Sequence, residues 1–228
     1  MSLTLYTGNK NYSSWSMRAG VLMRQLGIGF DEVKLRLDFS DGSPFRAALA
    51  RVTPAGRVPV LVDGDFAVWD TLAIAEYLHE AFPAKGVWPA DAKPRARARC
   101  LCAEMHAGFA ALRQHCPMNL EAGLAEAGRR ILAEQPGERS DLERIDRMWC
   151  EQLAASGGPM LFGAFCAADA FFAPVAERIT TYALPVSAEA AAYVHRLAAL
   201  DAVRAWRAEA LAEHDFIAED EPYRAPPA

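Results

Sequence analysis

The chain has 228 residues, 52% apolar and 23% charged, with a formal net charge of −5. That is long enough for a packed core and ordinary in composition for a globular protein. The acidic balance excludes the basic footprint of a nucleic-acid binder, and no run approaches the roughly 18 apolar residues of a membrane span. The cluster "KPRARAR" (Lys93 to Arg99) reads as the solvated start of a helix. The opening "MSLTLYTGNK" holds only a short apolar run, too short for the core of a secretory leader. The five cysteines are an odd number without a disulfide-framework spacing. Together these features predict free thiols and a cytoplasmic location.

In chain order, "LTLYTG" (3–8) predicts a buried strand. A helix over 14–27 follows, with Trp15, Ala19, Leu22 and Leu26 on one stripe and Gly27 and Gly29 as its stop. "FDEVKLRL" (30–37) alternates like a half-buried strand. "SPFRAALARV" (43–52) predicts a short helix capped by Ser43, with Pro44 in the first position. The apolar runs 58–62 and 66–69 flank "DGD", a hairpin signal. Residues 70–82 complete a helix with Ile74, Leu78 and Phe82 on one stripe. The order βαβαββα over 1–82 implies a parallel pair with a right-handed crossover and an antiparallel edge. Residues 83–93, rich in proline, read as a linker. Residues 94–228 read as all-helical, with helices near 94–116, 120–135, 138–156, 167–183, 187–199 and 201–213. The final "EDEPYRAPPA" reads as an ordered strap or a frayed end.

Three places can carry chemistry. The first is "NKNYSSWSMR", where Ser13, Ser14 and Ser16 crowd the start of the first helix. One serine there suffices as a cap. A further hydroxyl, backed by the helix N–H groups, can stabilise a thiolate. The second is "RVPV" (Arg57 to Val60). With a cis Val58–Pro59 bond, the Val58 backbone would face outward and pair with a peptide like an added strand. The third is Asp70–Thr71, which can cap the helix or hold the ammonium and carboxylate of a ligand. The three together describe a site for a small zwitterionic peptide.

These residues resemble the cytosolic glutathione transferase family: "RVPVL" and "DTLAIAEYL" in the first domain, and "FGAFCAADAFFAPV" (162–175) in the helical half. The serine stretch is similar to a bacterial serine-type subgroup with a zeta-like SSxS pattern. The resemblance implies a thioredoxin-like amino-terminal domain (α/β) followed by an all-α domain, glutathione as co-substrate rather than a cofactor, and a homodimer. The implied partners are glutathione and a small hydrophobic electrophile, with no nucleic acid and no membrane.

Residue by residue, the resemblance implies Ser13 or Ser14 as the hydroxyl that lowers the thiol pKa, Ser13 being the first choice and Ser16 structural. It implies Arg57, Val58, Pro59, Asp70 and Thr71 as glutathione-binding. Tyr6, Trp15, His106, Phe109 and Arg113 are candidates for the electrophile pocket, and Tyr6 is also an alternative donor. Trp15 stands where zeta-like members carry cysteine, which disfavours thiol–disulfide chemistry and puts the isomerase activity of that class in doubt. Cys166 stands where the family's capping segment has Ser or Thr, so Asp169 is expected to serve folding rather than catalysis. Cys100 and Cys102, two apart on a helix, point to different faces, so no metal site is expected. A glutathione-dependent isomerase or peroxidase, or a non-catalytic binding module, are the alternative functions.

Overall fold

The computed structural model of the protein describes residues 2–224. Its first part runs β1 (Leu3–Thr7), α1 (Ser14–Gln25), β2 (Asp31–Lys34), α2 (Pro44–Ala50), β3 (Val60–Asp63), β4 (Phe66–Trp69) and α3 (Thr71–Ala81). The sheet order is β2-β1-β3-β4; β1 pairs parallel with β2, and β3 pairs antiparallel with both β1 and β4. This is the thioredoxin-like order expected from the sequence, followed by helices alone. These are α4 (Ala92–Ala107), α5 (Ala110–His115), α6 (Ala125–Glu134), α7 (Pro136–Ser156), α8 (Ala167–Tyr182), α9 (Ala188–Ala198) and α10 (Asp201–Glu213). No helix among the described residues is long and apolar enough to cross a membrane.

Three differences from the predicted elements have local causes. The strand expected over 30–37 is ladder-paired only at Asp31–Lys34. The helix expected over 94–116 is broken: Gly108 ends α4, and Phe109 takes a left-handed φ of 53° before α5. The sequence 218–220 forms a 3₁₀ turn, and the strap beyond it docks through Tyr223, whose hydroxyl donates to the His115 carbonyl at 2.7 Å. The last four residues of the predicted strap lie outside the described residues.

Helix α1 holds the two parts together. A helix that is apolar on one stripe covers one neighbour, but Met17, Ala19, Val21, Leu22 and Met23 are all buried, so α1 is packed on several sides. It lies against α8, α10 and α3. A Cβ on Gly20 would lie 2.4 Å from the Trp206 ring, so only glycine permits that approach to α10. The loop before α1 is a polar latch. Asn11 Oδ1 accepts from the Leu120 and Glu121 N–H groups at 2.7 and 2.9 Å. Glu213 accepts from the Lys10 N–H at 2.9 Å, and the Lys10 ammonium pairs with Glu32 at 2.7 Å and with Glu209.

Asp169 organises the start of α8. It is fully buried, and its carboxylate accepts from the N–H groups of Cys166 (2.9 Å) and Leu161 (3.1 Å) and from the Tyr193 hydroxyl (2.7 Å). Burial pushes its carboxyl above the ordinary range, and those hydrogen bonds oppose the shift.

Candidate functional site

The serines divide their work. Ser13 is the N-cap of α1: its Oγ accepts from the Ser16 N–H and donates to Ser16 Oγ at 2.7 Å. Ser16 Oγ in turn accepts from the Gly8 N–H at 3.0 Å. This chain of bonds closes the strand-to-helix turn and uses two of the three hydroxyls. Ser14 is different. Its Oγ accepts one bond, at 3.3 Å, from Nη2 of Arg178 on α8. Its own proton has no acceptor among the described residues. Both Ser13 and Ser14 line a cleft of about 370 Å³, but only Ser14 has a hydroxyl proton to spare.

A second cleft, about 360 Å³, adjoins it. Trp15, Arg57 and Val58 line both. This neighbour is walled by Pro59, Trp69, Asp70, Thr71 and His106 as well. Val58–Pro59 is cis. The β-ladder begins beyond it, at the Tyr6–Val60 pair, and the Val58 N–H and C=O have no partner among the described residues.

Asp70, not Thr71, caps α3, with its carboxylate accepting from the Leu72 N–H at 2.9 Å. It does so at a φ of 75°, a region that non-glycine residues occupy at a cost of about 1–3 kcal/mol. Its other carboxylate oxygen lies 3.3 Å from His106 Nε2. Thr71 is only 3% exposed, and its Oγ1 is buried without a hydrogen-bond partner among the described residues. Such a hydroxyl costs stability unless a ligand satisfies it.

Trp15 borders both clefts. The Arg18 guanidinium stacks on its ring at 4.1 Å, Arg113 stands 5.8 Å from its centroid, and His106 meets it edge-on at 5.0 Å. Arg18 is 1% exposed, and its Nε and Nη1 lack partners among the described residues. Arg178, also buried, donates its remaining bonds to the carbonyls of Cys116 and Pro174. Burial, reinforced by the mutual repulsion of these arginines, lowers Arg18 to about 9; burial likewise lowers Arg178 to about 10.

Most sequence-derived candidates thus meet here: Ser13, Ser14, Trp15, Arg57, Val58, Pro59, Asp70, Thr71, His106 and Arg113 all line one cleft or both. Two candidates do not. Tyr6 faces the side of the sheet opposite to Leu3, Leu5 and Thr7, following the period of two, and packs with Tyr12, Phe45 and Leu49. Phe109 is turned into the core by the left-handed break that sequence periodicity ran through. Residues that the sequence reading missed are Arg178, Arg18 and Asp220. The signal for the arginines was present: charged residues inside otherwise apolar helices, "SMRAGVLM" and "APVAERI". Among the described residues, no group of three His, Cys, Asp or Glu side chains is arranged to hold a metal.

Residues 12–81 match the family described as glutathione S-transferase, N-terminal domain. The dichloromethane dehalogenase of Methylorubrum extorquens is 38% identical over 68 residues, which are 29% of this chain and 23% of that one. A probable maleylacetoacetate isomerase of Vibrio cholerae is 29% identical over 107 residues, 47% of this chain and 49% of that one. The matches thus span less than half the length of these curated relatives. A glutathione transferase homolog from Burkholderia GL BGR1, solved with bound glutathione, superposes with a TM-score of 0.69 at 26% identity, over 92% of this chain and 98% of that one.

Proposed function

We propose that this chain is a glutathione transferase of the serine type, with Ser14 as the group that contacts the sulfur. In this reading glutathione lies in the cleft walled by Val58, Asp70 and Thr71. Its cysteinyl backbone pairs with the free N–H and C=O of Val58. Its γ-glutamyl carboxylate takes the unpartnered Thr71 hydroxyl, and its ammonium takes Asp70, which His106 and the α3 cap hold in place. Arg57, which lines both clefts, takes the glycyl carboxylate. The sulfur then reaches the neighbouring cleft, where an electrophile binds.

The observation that carries the reading is the hydrogen bond from Arg178 to Ser14 Oγ. With one of its two acceptor lone pairs engaged by a guanidinium and no acceptor among the described residues taking its proton, the Ser14 hydroxyl is free to donate. A donated bond to sulfur favours thiolate over thiol, and the fixed charge of Arg178 behind it acts in the same sense. Thiolate attack forms the carbon–sulfur bond and expels a leaving group or generates an enolate, according to the electrophile.

Ser13 supports this arrangement by fixing the first turn of α1. The absence of cysteine at Trp15 leaves the site without a protein thiol for disulfide exchange, so conjugation is the reading preferred over thiol–disulfide chemistry. The test is retention of the protein on immobilised glutathione together with turnover of a panel of electrophiles. Retention with formation of a conjugate supports the transferase. Retention with no turnover of any electrophile points instead to a binding module, and loss of a cis-enone without a conjugate points to an isomerase.

A further inference from the structure

We propose that Glu138 is a positioning residue for the thiol chemistry: acting through Cys116, it restrains the Arg178 guanidinium and so sets how firmly Arg178 engages Ser14. The inference rests on the Ser14 reading above and adds a residue that no part of that reading uses. Glu138 lies in the first turn of α7 and lines neither cleft. It is nevertheless 0% exposed. Burying a carboxylate is costly unless the charge is answered by a donor or an opposite charge.

Cys116, at the end of α5, supplies the link. Its thiol donates to Glu138 Oε1 at 3.2 Å, and its main-chain carbonyl accepts from Arg178 Nε at 2.8 Å. Arg178 then reaches Ser14 Oγ through Nη2 at 3.3 Å. The chain of contacts runs from α7 through the end of α5 and α8 to α1, and Glu138, Cys116 and Arg178 are all buried. Arg178 spends its bonds on two carbonyls and Ser14, with no ion pair to a carboxylate among the described residues. Glu138 Oε2 likewise has no partner among them.

The two charges act on each other across Cys116. Burial pushes the Glu138 carboxyl up; the Cys116 hydrogen bond, His115 and Arg178 oppose the rise, and Asp141 adds to it. Burial lowers Arg178, and Glu138 is among the groups that oppose that fall. Tyr223, docked on the His115 carbonyl, also feels Glu138. Burial and Glu138 together push the Cys116 thiol up, so it keeps its proton and remains a donor.

A guanidinium held at one end through Cys116 and at the other by Ser14 divides its attraction. The contact lengths show the division: 2.8 Å to the Cys116 carbonyl is an ordinary bond, whereas 3.3 Å to Ser14 lies past the usual range of about 2.7–3.2 Å. While charged, Glu138 draws Arg178 toward Cys116 and offsets part of the positive field that favours thiolate. Neutralising Glu138 releases Arg178 toward Ser14 and makes the bound thiol more acidic.

The test titrates glutathione bound to the whole chain by thiolate absorbance. Glu138→Gln keeps an acceptor for the Cys116 thiol and removes the charge. The pKa of the bound thiol should fall by roughly 0.5 in this variant, giving about two- to threefold more thiolate at about pH 6. Cys116→Ala, an independent variant should Glu138→Gln fold poorly by circular dichroism, should move it in the same direction, because a Glu138 without its donor holds its proton. In an Arg178→Gln background, Glu138→Gln should move the thiol pKa by less than half as much. A thiol pKa that is unchanged or raised in both single variants, or an equal fall with and without Arg178, overturns this proposal. Those results leave the glutathione reading intact if Ser14→Ala raises the thiol pKa; if Ser14→Ala leaves it unmoved, the Ser14 reading fails and this proposal with it.

Discussion

Replacing Ser14 with alanine removes a hydroxyl proton in the cleft that has no acceptor among the described residues. A hydrogen bond to a charged group contributes about 2 kcal/mol. Converted at 1.36 kcal/mol per unit, that lowers a thiol pKa from about 8.5 to about 7. At about pH 6.5 the bound thiol would then be roughly one quarter ionised, and without the bond roughly one part in a hundred. Ser14→Ala should therefore lose about 25-fold in kcat/KM at that pH. The loss should shrink as pH rises past the unperturbed thiol pKa. The assay is a titration of enzyme-bound glutathione by thiolate absorbance, beside the pH profile of conjugation. Ser13→Ala is the control: it removes the α1 cap, costs about 1 kcal/mol of stability, and leaves the bound thiol pKa in place. A thiol pKa that stays put in Ser14→Ala and rises in Ser13→Ala would refute the assignment.

Thr71→Val should separate binding from stability: loss of a buried, unpartnered hydroxyl leaves the free protein as stable or slightly more so, by thermal melting, while the glutathione Kd rises about tenfold. Asp169→Ala removes the acceptor of three buried hydrogen bonds and should cost about 3 kcal/mol or more, lowering Tm by roughly 6–12 °C, with glutathione affinity per folded molecule unchanged. Burial pushes the Glu221 carboxyl up, but hydrogen bonds from Arg224 and Tyr12 outweigh it and hold the group below its ordinary value. A depressed folded-state pKa contributes stability above the unfolded value and loses it as pH falls through the folded one. Amide protection factors in residues 215–224, corrected for the intrinsic exchange rate, should therefore fall as pH drops below the ordinary carboxylate range, and Arg224→Ala should move that loss to higher pH.

What could be read from the sequence was what depends on neighbours in the chain. The Ser43–Pro44 start of α2, the Asp-Gly hairpin between β3 and β4, and the pairing of Asp70 with Thr71 are all local patterns, and each marks a place where the structure changes direction. The choice between Ser13 and Ser14 was not local. It turns on Arg178, 164 residues away, which gives Ser14 its partner while Ser16 takes up Ser13. Periodicity likewise carried His106, Phe109 and Arg113 along one helix. The backbone reversal at Gly108 and Phe109 sends the phenyl ring inward yet still delivers His106 and Arg113 to the clefts. The arginines were visible as charges in apolar helices, but the meeting of Arg18 and Arg113 at Trp15, and of Arg178 at Ser14, exists only once α1, α5 and α8 are packed.

The most direct measurement is a crystal structure of the protein with glutathione. The account predicts the sulfur within hydrogen-bonding reach of Ser14 Oγ, the tripeptide backbone on Val58, and the γ-glutamyl carboxylate on the Thr71 hydroxyl. A sulfur turned away from Ser14, or glutathione seated outside the paired clefts, would contradict it.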